Sequence, residues 1–293
     1  MFICHTSNLN PCISYLYRRM SEPSNTIIDS QPIGLKDYIQ RIIRYRSLIF
    51  ALAKRDVKAK YTQTTLGVLW AIIQPIIALL IFSVFFQGLI KLETGDVPYP
   101  VFAFSGMILW YYFSNIIHQS GSALVAEQDL IKKIYFPRLI LPLYKAFIGL
   151  FELGIAFLLL IIILLIWKVD ISYKICFAPL IILLVTFIGL TVSIWLNALT
   201  VRKRDLLHLV PYLINYGIWL TPVFYPSTII PEPYQDWLYY LNPIAVTIEL
   251  FRAALLDLPF EWMHCISFIP VLLMFVVGVY VFKKTEKNIA DYV

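Results

Sequence analysis

Six nearly unbroken apolar stretches, at positions 64–90, 99–125, 139–167, 175–200, 209–225 and 264–282, set the terms for any fold of this chain. A helix rises about 1.5 Å per residue, so about 20 apolar residues cross the ~30 Å hydrocarbon layer of a bilayer. Each stretch meets or approaches that length. In hydrocarbon only a helix or a closed barrel satisfies its own backbone. Composition argues against a soluble alternative: 60% of the 293 residues are hydrophobic and 14% charged, whereas ordinary globular domains carry about 25% charged residues. The expectation is an all-α membrane protein with six transmembrane helices.

Charge orients those helices. With the N-terminus inside, most of the 24 lysines and arginines fall on the inner side: before the first stretch, at 127–138, at 202–204 and after Phe282. The outer segments then hold Lys91, Lys168, Lys174 and Arg252, together with the acids Glu232, Asp236, Glu249, Asp257 and Glu261. Retention of positive charge on the cytoplasmic side favours an N-in, C-in arrangement. The net charge of +6 follows from that topology and calls for no nucleic acid.

Residues 1–30 differ from the rest. They are polar, contain Pro11 and Pro23, and lack the apolar run after a basic start that a signal peptide needs. They read as a disordered or misassigned extension, with Met20, after Arg18 and Arg19, as a candidate initiator. Cys4 and Cys12 fall in this stretch. Cys176 and Cys265 stand at the outer ends of the fourth and sixth apolar stretches, where a disulfide is chemically possible, although unpaired membrane cysteines are the preferred reading. Neither the cysteines nor His5, His118, His208 and His264 show metal-ligand spacing.

Residues 31–63 form a cytoplasmic amphipathic interface segment. On a helical wheel the apolar residues of 35–53, among them Tyr38, Ile42, Ile49 and Leu52, share one half, and Lys36, Arg41 and Arg44 take the other. A basic face suits anionic headgroups; a packed cytosolic helix is the alternative. Pro75 is placed to kink the first span. The fifth stretch is short, with Pro211 and Pro222 near its ends. After it, residues 226–263 are too long for a turn and too apolar for a solvated loop. Two short helices at about 234–258, split at Asn242-Pro243, either re-enter the outer leaflet or rest on its surface with aromatic anchors.

The third stretch holds two charges. Lys145 lies near its inner end and can snorkel, whereas Glu152 lies near mid-membrane. Seven residues apart, they share a face but are two turns from pairing. Glu152 either lines a polar pathway or is a structural carboxyl bonded to a neighbouring helix. Phosphate-loop chemistry is missing: Gly149 and Gly154 are followed by Ile155-Ala156, inside a membrane helix. There is no Ser/His/Asp arrangement, and a membrane enzyme acting on lipid-linked sugars would have only the outer acids for paired carboxylates. Aromatic residues make up 16% of the chain. Their flat faces suit sugar rings, although interface belts enrich the same residues.

Five segments, in order and at matching topological positions, carry a family resemblance: RDVKAKYTQTTLGVLWAIIQP (55–75), YFPRLILPL (135–143), NALTVRKRDL (197–206), TPVFYPSTIIPE (221–232) and LNPI…ELFRAALL (241–256). Together they resemble the membrane subunit of type-2 ABC exporters, specifically the polysaccharide and O-antigen export permeases, over residues 35 to 293. The resemblance implies that residues 64–293 form a six-span exporter domain, working as a homodimer in the bacterial inner membrane with two copies of a separate ABC ATPase. ATP and Mg would be bound by that partner, leaving this chain without a cofactor and without hydrolytic activity. The cargo would be a lipid-linked polysaccharide of O-antigen, capsule or teichoic-acid type; a drug or simple lipid is the alternative. Residues 127–138 would be the coupling helix, with Glu127, Asp129, Lys132, Lys133 and Arg138 transmitting ATPase closure, or else a solvated turn. Trp237, Tyr239, Tyr240 and Phe251 would belong to outer gate helices. Conduction between protomers would use many weak contacts rather than one tight site.

Overall fold

The computed structural model describes residues 34–62, 65–200, 203–232 and 234–292, and every regular element among them is helical. The extension at 1–30, with Met20, Cys4 and Cys12, lies outside the described residues. The described residues from Gln40 onward form one compact unit.

The single interface helix expected over 35–53 is two helices, α1 (Leu35–Arg44) and α2 (Arg46–Thr62). At the junction the Tyr45 amide donates to both the Arg41 and Ile42 carbonyls, each at 3.1 Å, which tightens the turn and resets the helical phase. α1 is strongly amphipathic, whereas α2 has no single apolar stripe. The wheel therefore holds for α1 only.

There follow α3 (Trp70–Phe82), extended by a tight turn at Gly67–Leu69 and by π geometry over Ser83–Leu89, and α4 (Tyr99–Gly121). Two short helices come next, α5 (Ala123–Ala126) and α6 (Gln128–Lys133), before α7 (Ile140–Trp167) and α8 (Ala178–Thr200). The rest comprises α9 (Leu206–Leu220), α10 (Tyr234–Leu241), α11 (Pro243–Leu256) and α12 (Phe268–Tyr292). Among the described residues five helical stretches are long and apolar enough to cross a membrane: Gly67–Leu89, Tyr99–Gly121, Ile140–Trp167, Tyr173–Thr200 and Trp262–Glu286. α9, the fifth apolar stretch of the sequence, has 15 residues, and at the helical rise it is only ~22 Å long. Its end is set by Thr221-Pro222. The residue before proline is pushed out of the helical region, and Thr221 sits at φ −101°, ψ 136°.

α4 is the axis of the bundle and packs against α3, α7, α8, α9 and α11. It is the least hydropathic of the five long stretches and the most buried. Facing protein rather than lipid, it can bury Ser105 and Ser120 and half-bury Asn115 and Gln119. Its contact with α8 depends on Gly189, where a Cβ would stand 2.9 Å from Ile116 Cγ2. Asn197 of α8, fully buried, bridges the break after α4 by donating to the Ser120 carbonyl and accepting from the Leu124 amide at 3.1 Å. At the other end of the bundle, α11 starts with Pro243 in its first turn and with the Asn242 side chain accepting from the Ala245 amide at 3.3 Å. It stops at Asp257, in the left-handed region at φ 56°.

Candidate functional site

α2 lies along α7, and its polar residues meet those of α7 at two levels. At the first, Asp56 accepts from Lys145 Nζ at 2.6 Å and from Arg55 Nε at 2.8 Å. Glu127, where α5 gives way to α6, takes Arg55 Nη2 at 2.9 Å and the Tyr144 hydroxyl at 2.7 Å, with Lys145 Nζ 3.5 Å away. Burial pushes the Asp56 carboxyl up, but the hydrogen bonds from Lys145 and Arg55 outweigh it and hold the group below its ordinary range. Lys145 thus has two anionic partners rather than only a route to the surface.

This network divides the five residues expected at the coupling helix. Glu127 and Arg138 turn inward. Arg138 donates through its amide to Glu286 Oε1 and through Nη1 to the Glu286 carbonyl, both at 2.8 Å, which fastens the end of α12. Asp129, Lys132 and Lys133 are exposed. Beside them lie two exposed apolar side chains that charge reasoning passed over, Ile134 and Tyr135.

At the second level Glu152 is held by three side chains from two helices, α2 and α4. Its Oε1 accepts from Lys60 Nζ at 2.5 Å and from the Tyr61 hydroxyl at 3.2 Å, and its Oε2 accepts from Asn115 Nδ2 at 2.6 Å. Asn115 in turn accepts from Gln119. This cluster forms part of the wall of a cavity of about 670 Å³ between α2, α3, α4 and α7, whose lining includes Trp70, Gln74, Pro75 and Tyr111. Nothing in the sequence linked Lys60 to Glu152; they stand 92 residues apart.

The opposite end is organised by Arg252, which the sequence placed among outer-loop cations. It is 1% exposed. Nη1 donates to the Pro222 carbonyl at 2.8 Å, and Nη2 donates to the carbonyls of Val223 at 2.7 Å and Phe102 at 3.2 Å. Its guanidinium carbon lies 3.7 Å from the centre of the Phe102 ring, in cation–π contact. Arg252 thereby joins α11 to the start of α4 and to the segment after α9. Gly106 makes room, since a Cβ there would fall 2.7 Å from Nη2. The run ELFRAALL was the available signal, because an arginine amid apolar helix residues must be buried with partners or reach water.

The aromatic residues expected at an outer gate separate by environment. Tyr239 is buried and stacks on His264 at 4.4 Å between ring centres, with Tyr240 edge-on to the same imidazole at 5.7 Å. Phe251 is fully buried against Phe157 of α7 at 5.6 Å, whereas Trp237 is 61% exposed. His264 Nε2 lies 3.5 Å from Asp236 Oδ1 and 3.9 Å from Glu261 Oε2, a cluster that residue spacing did not disclose. Cys176 and Cys265 are both free thiols.

Comparison with known proteins bears on the family of the chain. An O-antigen export system permease protein RfbA of Klebsiella pneumoniae is 27% identical over 251 residues, covering 83% of this chain and 94% of the relative. RfbA of Myxococcus xanthus is 27% identical over 217 residues, covering 73% of this chain and 82% of its own. The polysialic acid transport protein KpsM of Escherichia coli is 28% identical over 209 residues, 70% and 80% of the two chains. The family model described as ABC-2 type transporter matches residues 47–256, from α2 to the end of α11. The chain belongs to the ABC-2 type transporter membrane family.

Proposed function

We propose that this chain is the membrane permease of an ATP-driven exporter that moves a lipid-linked polysaccharide across the bacterial inner membrane. The carrying observation is co-linear similarity to proteins named for O-antigen export, over 94% of the length of one of them. The permease itself is the non-catalytic part. Energy would come from two copies of an ABC ATPase that bind ATP and Mg, docking on Asp129, Lys132 and Lys133 with Ile134 and Tyr135 beside them. Glu127 and Arg138 would act behind that surface, passing the stroke to α2, α7 and α12 through the bonds described above.

Two further features support a homodimer. Leu213, Tyr216 and Leu220 of α9 are exposed, as are Ile77, Leu80 and Ile81 of α3. A helix of ~22 Å spans ~30 Å of hydrocarbon poorly on its own but can complete a crossing where protein or a water-filled path covers its ends. α9 would then be the sixth crossing, seated at the protomer interface. The test is deletion and complementation in the native host. Loss should abolish surface polysaccharide and leave lipid-linked glycan on the inner face, and the wild-type chain should restore export. Unchanged surface glycan with altered drug or lipid efflux would instead favour that cargo.

A further inference from the structure

The geometry points to the cavity between α2, α3, α4 and α7 as a subsite for an uncharged sugar ring of the transported molecule, an inference that rests on the glycan reading above. Its volume of about 670 Å³ falls within the range of small-molecule sites, ~300–1,000 Å³, and holds more than one ring. Three classes of occupant can be weighed against its walls.

A hydrocarbon tail would strand polar groups. Among the described residues neither the Gln74 amide nor the Tyr111 hydroxyl has a hydrogen-bond partner, and both line the cavity. Covering them with alkyl chain removes their water and returns nothing. A diphosphate would meet no surplus of positive charge. Lys60 is the one cation among the lining residues, and it already sits 2.5 Å from the Glu152 carboxylate, whose own charge repels an anion. A sugar ring suits both features. Its C–H face can lie on the aromatic surface of Trp70 or Tyr111, while its hydroxyls reach the Gln74 amide, the Tyr111 hydroxyl and the free acceptor capacity of Glu152.

Glu152 is suited to that acceptor role because it does not move freely. Lys60, Tyr61 and Asn115 approach it from α2 and α4, so the carboxylate offers its remaining lone-pair direction at a set position. Preorganised acceptors of this kind give orientation without tight binding, which is what a transported chain needs at each contact.

The test uses the full chain in lipid nanodiscs with octyl β-glucoside as the probe, read by saturation-transfer NMR. Octyl tetraethylene glycol ether, with the same tail and no sugar, corrects for partitioning into lipid. Saturable binding of the glucoside beyond that control is expected. Gln74→Ala should weaken it by about three- to tenfold for one lost hydrogen-bonding pair. Trp70→Ala should weaken it by about two- to tenfold, and Trp70→Phe, which keeps a ring, by less than about twofold. Both positions are exposed on α3, so these variants should fold, as thermal unfolding will check. Absence of saturable binding, unchanged affinity in both alanine variants, or displacement by octyl phosphate would overturn the subsite. The readout is independent of transport. A chain that exports glycan but fails these arms loses the subsite alone, whereas one that binds the glucoside in this pattern but exports no glycan loses the export reading.

Discussion

Replacing Arg252 with methionine tests whether the α11 end of the bundle is held by one buried guanidinium. Methionine reproduces the aliphatic stem but removes the donors to Pro222, Val223 and Phe102. The buried carbonyls of Pro222 and Val223 then lose their partner, at about 1–3 kcal/mol each for unmet desolvation, whereas that of Phe102 keeps the Ser105 hydroxyl at 2.8 Å. Part of that is offset, because the wild type bears the cost of a buried charge and of a guanidinium Nε without a partner. The net loss should be about 2–4 kcal/mol. Two native thiols report where it falls. α11 packs against the turns that carry Cys176 and Cys265, the first exposed and the second half-buried. Loosening this end should raise the labelling rate of Cys265 by at least about tenfold while Cys176 changes little, since local opening at a cost lowered by 1.4 kcal/mol is tenfold more frequent. Arg252→Lys should lie between, keeping the charge but not the fork. Gly106→Ala attacks the same contact from the other side, with its Cβ 2.7 Å from Nη2 and 3.0 Å from the Val223 carbonyl. A methionine variant that unfolds in detergent within about 1 kcal/mol of wild type, with unaltered Cys265 labelling, would refute Arg252 as the fastening.

Asp56→Asn and Lys145→Met, combined in a double-mutant cycle of detergent unfolding, should couple by about 1–3 kcal/mol, because the pair is largely buried and shares Glu127; additive losses would show that the pair contributes little. The pH dependence has a definite sign. Asp56 is depressed below its ordinary value of 3.8, so its stabilisation is fully present above that pH and is lost as pH falls through the folded value. Asp56→Asn should therefore lose less stability than wild type on acidification below pH 3.8. Lys132→Glu with Lys133→Glu should leave unfolding within about 0.5 kcal/mol, as befits exposed sites, while abolishing stimulation of the partner ATPase; wild-type stimulation would remove these lysines from the docking surface. Arg138→Glu should behave differently and reduce stability, since it sets a second carboxylate beside Glu286.

The helices were legible where each carries its own signal. Continuous apolar runs at 99–121 and 140–167 have one solution in hydrocarbon, a helix, and the structure has one over each. The boundaries that escaped depend on local geometry that a wheel does not contain: the shared Tyr45 amide that splits α1 from α2, and Pro222, which ends α9 at Leu220. Site residues escaped for another reason. Arg55 and Glu127 lie 72 positions apart, and Arg252 and Phe102 lie 150 apart. Helix packing sets such partners, and residue spacing along one chain says nothing of them. Arg252 in particular read as a loop cation because its helix is too short to register as a span.

One pattern links the two ion clusters, and the sequence contained half of it. Lys145 and Glu152, seven residues apart, share a face of α7. Across from them Asp56 and Lys60, four apart on α2, share a face as well. The structure pairs Asp56 with Lys145 and Lys60 with Glu152, each cation facing an anion and the sign reversed from one rung to the next. Shifting α2 by one rung along α7 would set Asp56 against Glu152 in one direction or Lys60 against Lys145 in the other, like against like either way, so the alternation fixes the register of the two helices. The first rung includes Glu127 through Lys145, at the foot of the segment proposed to meet the ATPase, and the second forms part of the cavity wall. These bonds give Glu127 a connection to the cavity wall through α2 that bypasses the core helix α4, so uncoupling Asp56 from Lys145 should disturb the geometry at Glu152 even though neither residue touches it.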